Sequence, residues 1–197
     1  MAGGHDPIVK ICGTRTVESA ELAVAVGANL IGIICVPNAK RTVDPEIARQ
    51  ISCVVRTELG VFRNQPLEEV LQIQKDYKID IVQLHGSEPI TWASEIPVPV
   101  MKKFSPGDDN VMSPGFHALT LFDGGEGGEG VQIDWNDEQL PKEGKFMLAG
   151  GLTPENVAQA VKVNNVIGVD VSTGVETDGK HDLEKIRSFI INAKSLN

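Results

Sequence analysis

The sequence predicts an α/β chain folded as a TIM (β/α)8 barrel, with some helices shortened and the fifth reduced or absent. Three observations carry this. Eight short apolar runs recur along the 197 residues, most of them followed by a segment with helical spacing. The runs are continuous rather than alternating, as parallel strands covered on both faces require. The chain is also short of the roughly 250 residues usual for eight βα units, so some helices must be trimmed. An open doubly wound sheet is the other architecture this pattern allows. No domain boundary or internal repeat is visible, so residues 1–197 are expected to form one barrel domain.

"IVKIC" (Ile8–Cys12) reads as the first strand. "TVESAELAVAVG" follows, with Val17, Ala20 and Val24 at helical spacing and Leu22 and Ala23 widening the apolar face. Ser19 stands where a capping box needs Glu or Gln, so the helix start rests on Thr16 as N-cap. Gly27 ends it. "NLIGIIC" (Asn29–Cys35) is the second strand, and "DPEIARQISCVV" a helix with Asp44 as N-cap and Pro45 in its first turn. "LGVF" (Leu59–Phe62), "QPLEEVLQIQKDY" and "DIVQLHG" (Asp80–Gly86) read as strand, helix and strand. A short helix is expected over Pro89–Glu95, then strands at "VPVMKKF" (Val98–Phe104) and "ALTLFD" (Ala118–Asp123). Between these two, "SPGDDNVMSPG" holds two Pro and two Gly, which argues against a full helix. "DWNDEQL" reads as a short helix and "FMLAGG" (Phe146–Gly151) as the seventh strand. "TPENVAQAVKV" is expected to be a helix capped by Thr153, "VIGVDVS" (Val166–Ser172) the eighth strand, and "HDLEKIRSFIINAK" the closing helix.

Hydrophobic residues make up 41% of the chain and charged residues 23%, close to globular averages. The net charge of −9 disfavours general nucleic-acid or anionic-membrane binding. A bound anion would need helix N-termini and a few placed cations. Cys12, Cys35 and Cys53 are odd in number, and His5, His85, His117 and His181 are scattered, so neither a disulfide framework nor a metal site is expected. No apolar run reaches about 18 residues, and "MAGGHDP" lacks a signal-peptide pattern. A cytoplasmic location is the expectation.

"LFDGGEGGEGVQIDW" (Leu121–Trp135) contains Gly125, Gly127 and Gly130 in a G-x-G-x-x-G pattern. A dinucleotide loop must open a helix directly, yet Val131–Ile133 intervenes before Asp134, and the following strand ends without the ribose-binding acid. The segment reads better as a βα loop at the barrel mouth. Asp123, just before it, is either a turn-forming residue or a general acid–base group. Cys12 and Cys35 each close a strand; either is a small buried hydrophobe or a thiolate, and spacing does not rank them. "AGGLTPEN" and "VDVSTGVE" fall after strands seven and eight, where barrels frequently bind phosphate, or are ordinary glycine turns. Arg41 suits a carboxylate or is a solvated loop charge. Lys10 shares strand parity with Cys12, Gln83 with His85, and Asp170 with Ser172, which suggests a polar layer inside the barrel and a Lys10–Asp170 pair.

Taken together, "VKICG", "GIICVPNAKRTVDP", "GVFRNQP", "DIVQLHG", "LFD…GGEG…DW", "LAGGLTPENV" and "GVDVSTGVE" resemble the phosphoribosylanthranilate isomerase family, in order and across nearly the whole chain. The resemblance implies a monofunctional tryptophan-biosynthesis enzyme. Its reaction is an Amadori rearrangement of N-(5-phosphoribosyl)anthranilate, carried out without metal or organic cofactor. It implies that Asp123 is the general acid that opens the furanose ring, and that Cys12 is the general base at C2; the cationic imine acidifies that C–H, so a thiolate with only a modestly lowered pKa suffices. It further implies Arg41 on the anthranilate carboxylate, and Gly150, Gly151, Ser172, Thr173 and Gly174 around the phosphate. Lys10, His85 and Asp170 are candidates to support the catalytic pair. The expected partner is a small phosphorylated substrate, with no nucleic acid and no membrane, acting on a monomer.

Two features depart from the family pattern. Glu129 stands where the loop usually has Thr or Ser, and a carboxylate there repels an anionic substrate unless it points to solvent. The stretches around Arg56–Glu58 and Met112–Phe116 are short, which puts the geometry of the third unit in question. Two other readings stand beside the isomerase. A metal-dependent phosphosugar epimerase would need more histidines than the lone His85 offers. A non-catalytic phosphosugar-binding descendant would follow from loss of loop function at Glu129.

Overall fold

The structure, a computed structural model, describes residues 6–105, 107–108, 116–124 and 140–195. Eight parallel strands close into a barrel in chain order: β1 (Ile8–Cys12), β2 (Leu30–Ile34), β3 (Glu58–Phe62), β4 (Ile81–Leu84), β5 (Val100–Phe104), β6 (Leu119–Phe122), β7 (Phe146–Leu148) and β8 (Val166–Val171). β1 pairs with both β2 and β8, and places Lys10 opposite Asp170. Closure rules out the open doubly wound sheet.

Period-two alternation sorts each apolar strand into two cores. One set of side chains fills the barrel: Leu30, Leu59, Val61, Met101, Leu121 and Met147, with Cys12 near the top. The other set, including Val9, Ile11, Ile33, Phe62, Leu84, Phe122 and Val169, packs outward beneath the helices. This two-sided burial is why the strands read as unbroken apolar runs.

Among the described residues the α-helices are α1 (Val17–Val26), α2 (Pro45–Val54), α3 (Leu67–Tyr77), α4 (Val157–Ala160) and α5 (Leu183–Lys194). Thr16 caps α1 by accepting from the Ser19 N–H, and its hydroxyl donates to Ser19 Oγ at 2.8 Å. Ser19 thus engages the cap from the position where a capping box would have Glu. Gly27 ends α1 in the left-handed region, and Asp44 caps α2. Asp182 caps α5 by accepting from Glu184 and Lys185.

Three segments differ from the sequence reading. Pro89–Glu95 forms a single 3-10 turn at Ile90–Ser94. The helix expected from Thr153 shrinks to α4, because Asn156 folds back onto the preceding turn. Its Oδ1 accepts from Thr153 N at 2.8 Å, and its Nδ2 donates to Gly151 O at 2.9 Å. The third is a hairpin the strand pattern did not show, formed by β9 (Glu176–Thr177) and β10 (Lys180–His181). Asp178 and Gly179 both have positive φ, as a two-residue hairpin turn requires. The glycine fingerprint, Glu129, most of the fifth-helix segment and all but Leu140 of the helix expected at Asp134–Leu140 lie outside the described residues.

The short connection at Arg56–Glu58 leaves the third unit intact, since β3 pairs over four positions with each neighbour. It does place Glu58 on the buried outer face of the barrel. Glu58 is 1% exposed, and neither carboxylate oxygen has a hydrogen-bond partner among the described residues. Burial, with Asp80 nearby, pushes its carboxyl up to about 8 from 4.5. An acid whose pKa is raised on folding contributes most below its unfolded value and loses that contribution as pH rises through the folded value. Stability should therefore fall between about pH 4.5 and 8. Glu58→Gln should remove that slope and gain about 2–4 kcal/mol over the parent at pH 8. Urea melts at pH 5 and pH 8 test this, and an unchanged difference between the two pH values would count against it.

Candidate active site

The sequence-predicted residues converge on the C-terminal ends of the strands. Cys12 is the last residue of β1 and points inward with Lys10. Its neighbour across the ladder is Gly32. A Cβ at Gly32 would lie 2.9 Å from Cys12 Sγ and 3.0 Å from Lys10 Cε. The absent side chain is what lets the thiol and the lysine share that side of the barrel. Cys35 belongs to the outer core instead, and burial pushes its thiol well up. Cys53 is exposed on α2. Geometry therefore separates Cys12 from Cys35, which spacing left unranked.

A cavity of about 420 Å³ opens above the barrel and is lined by Cys12, Arg41, His85, Asp123, Asp170 and Ser172, among others. A smaller pocket of about 40 Å³ shares Asp123, Asp170 and Ser172 with it and adds Gly150, Gly151, Thr173 and Gly174. The two predicted phosphate loops thus face one pocket. A Cβ at Gly174 would collide with the Leu152 carbonyl oxygen, so the two backbones meet there directly.

Lys10 lies beneath the cavity, fully buried, with Nζ 2.9 Å from Asp170 Oδ2. Burial disfavours its charge, but Asp170 and the Cys12 sulfur outweigh that and hold the ammonium above its ordinary value. Burial dominates at Cys12 and pushes the thiol up, against the downward pull of Lys10. The reason is that Cys12 is 5% exposed in a packed barrel.

His85 shares the cavity with Asp123, which is 7% exposed. Its Nδ1 contacts Gln83 Nε2 at 2.7 Å, and with the amide nitrogen donating, the ring proton sits on Nε2. That nitrogen lies 3.5 Å from Asp123 Oδ2. Burial, reinforced by Lys10 and neighbouring cations, pushes the imidazole down to about 3, so it is neutral at physiological pH. The Asp123 N–H donates to Phe104 O at 3.1 Å, which locks its backbone to β5.

Arg41 is not a solvated loop charge. Its side chain is 14% exposed, and Nε lies 3.0 Å from Glu176 Oε1 on β9. Across the same hairpin, His181 Nε2 contacts the Cys12 carbonyl at 3.2 Å. The residues missed from sequence are Glu176 and His181 on the hairpin, together with Arg63 on the cavity wall. For the hairpin a signal was present, since Asp178–Gly179 is the dipeptide that favours such turns.

A family model described as N-(5'phosphoribosyl)anthranilate (PRA) isomerase matches residues 9–192. The N-(5'-phosphoribosyl)anthranilate isomerase of Lipomyces starkeyi is 51% identical over 223 aligned positions covering 95% of each chain. That alignment is longer than this chain, so the relative carries residues with no counterpart here. The crystal structure of the Thermus thermophilus phosphoribosyl anthranilate isomerase superposes with a TM-score of 0.86 at 33% identity, covering 96% of this chain and all of that one. A phosphoribosyl anthranilate isomerase solved with reduced 1-(o-carboxyphenylamino)-1-deoxyribulose 5-phosphate gives 0.80 at 33% identity, again over 96% of this chain and 100% of that one. By sequence, fold and the convergence of its strand-end residues, the chain belongs to the N-(5'-phosphoribosyl)anthranilate isomerase family.

Proposed function

We propose that the chain is an N-(5'-phosphoribosyl)anthranilate isomerase of tryptophan biosynthesis. It converts N-(5-phosphoribosyl)anthranilate to 1-(2-carboxyphenylamino)-1-deoxyribulose 5-phosphate. The observation that supports this reading is one cavity with Cys12, Asp123 and a held arginine on its wall, joined to a glycine-lined pocket through Asp123, Asp170 and Ser172. That set of groups suits a substrate that carries both a carboxylate and a phosphate as well as the reacting carbons.

In this reading Arg41 receives the anthranilate carboxylate. The phosphate sits against the backbone of Gly150–Gly151 and Ser172–Gly174. Asp123 gives its proton to the furanose ring oxygen, and the ring opens to a cationic imine. Cys12 then takes the C2 proton to give an enolamine, which ketonises to the product. Cys12 acts as the thiolate, formed by losing its proton to solvent; the imine's positive charge and the Lys10 ammonium both favour that anion, against the burial that pushes the thiol up. His85 presents Nε2–H to Asp123 and steadies its carboxylate after proton transfer, while Asp170 keeps Lys10 in place.

Residues 1–197 are proposed to act as one cytoplasmic barrel domain and a monomer. Three free cysteines suit a reducing compartment. Among the described residues, no helix is long and apolar enough to cross a membrane.

The test generates the unstable substrate in situ from anthranilate and phosphoribosyl pyrophosphate and follows the loss of its fluorescence. A decay rate proportional to added protein is expected. Binding of the ketose product with no decay above background would replace the enzyme with a phosphosugar-binding descendant.

A further inference from the structure

We propose that Glu176 is the positioning residue for Arg41, setting the plane of the guanidinium that receives the substrate carboxylate. This rests on the reading of Arg41 given above. Glu176 grips Arg41 at Nε, 3.0 Å away, with its own side chain 7% exposed. A contact at Nε restrains rotation about the last bonds of the arginine and so fixes the direction of its terminal nitrogens. Gly13 leaves room for the aliphatic stem, since a Cβ there would stand 3.0 Å from Arg41 Cδ. Glu176 also lies 3.5 Å from Arg15 Nη2.

The bland alternative is that this carboxylate only ties down the hairpin. The hairpin has other ties for that. Glu176 pairs with His181 through the backbone, and its carbonyl accepts from Lys185 Nζ at 2.8 Å. Asp182 N donates to Val175 O, and Thr177 Oγ1 donates to Asp182 Oδ2, both at 2.8 Å. The Glu176 carboxylate is directed onto Arg41 and Arg15 instead, beside a hairpin partner, His181, that reaches the Cys12 carbonyl.

The experiment compares Glu176→Gln, Arg41→Ala and the double variant, with melting temperatures taken on each. Glu176→Gln should raise KM about tenfold with kcat within about twofold of the parent. In the Arg41→Ala background the same change should alter KM less than about twofold, since the group it orients is gone. Should the Gln variant fail to fold, Glu176→Asp serves, because it keeps the charge but is one methylene too short for Nε. An equal KM effect in both backgrounds, or an unchanged KM in the single variant, would overturn the positioning role while leaving Arg41 as the carboxylate residue. An unchanged KM in Arg41→Ala would instead overturn the carboxylate reading, and Glu176 positioning with it.

Discussion

Asp123→Asn should lower kcat about 10²–10⁴-fold while KM stays within a few-fold of the parent. Asn matches Asp in shape, and the Asp123 backbone is held by Phe104 on β5, so the strand end should keep its geometry. What the amide lacks is a transferable proton for the ring oxygen. Cys12→Ser should fall in the same range for a different reason. A serine hydroxyl is a far weaker acid than a thiol and supplies almost no base, even beside Lys10. Steady-state fluorescence kinetics on each variant test both assignments. A kcat within tenfold of the parent would remove that residue from its role.

Lys10→Met should have a large effect on two axes, stability and the ionisation of Cys12. The substitution leaves Asp170 buried without its cation, and Asp170 Oδ1 already has no hydrogen-bond partner. Stability should fall by about 3–5 kcal/mol. Adding Asp170→Asn should recover much of that loss, so that the chemistry can be read in a folded protein. In that double variant the Cys12 thiol should ionise at higher pH than in the parent, because the cation that favours the thiolate is absent. Mass-spectrometric mapping of Cys12 alkylation by iodoacetamide across pH would show this directly. The rising limb of the kcat–pH profile should move with it. If neither profile shifts, Lys10 is structural only.

The barrel was legible in the sequence because burial on both faces of each strand leaves an unbroken apolar run. The caps at Thr16 and Asp44 were legible because the residue types that accept from helix N–H groups are few. The helix after Thr153 was over-read: Thr153-Pro154 looks like a helix start, but Asn156 forms side-chain bonds that favour a turn. Cys12 and Cys35 could not be ranked from spacing, since strand parity decides between them and the strand had first to be placed. The hairpin escaped because two-residue strands have no periodicity to detect. Glu176 and His181 went unnoticed with it, and with them the grip on Arg41.

The close approach of Gly174 to the Leu152 carbonyl has a consequence for how this end of the cavity can change. Where these two loops touch beside the small pocket, main chain meets main chain without an intervening side chain. Point substitutions at Ser172 or Thr173 can alter the rim, but they cannot widen or narrow the seat. Resizing it would take an insertion or deletion in one of two interlocked loops. The pocket is thus insulated from gradual drift, and what occupies it should change in steps.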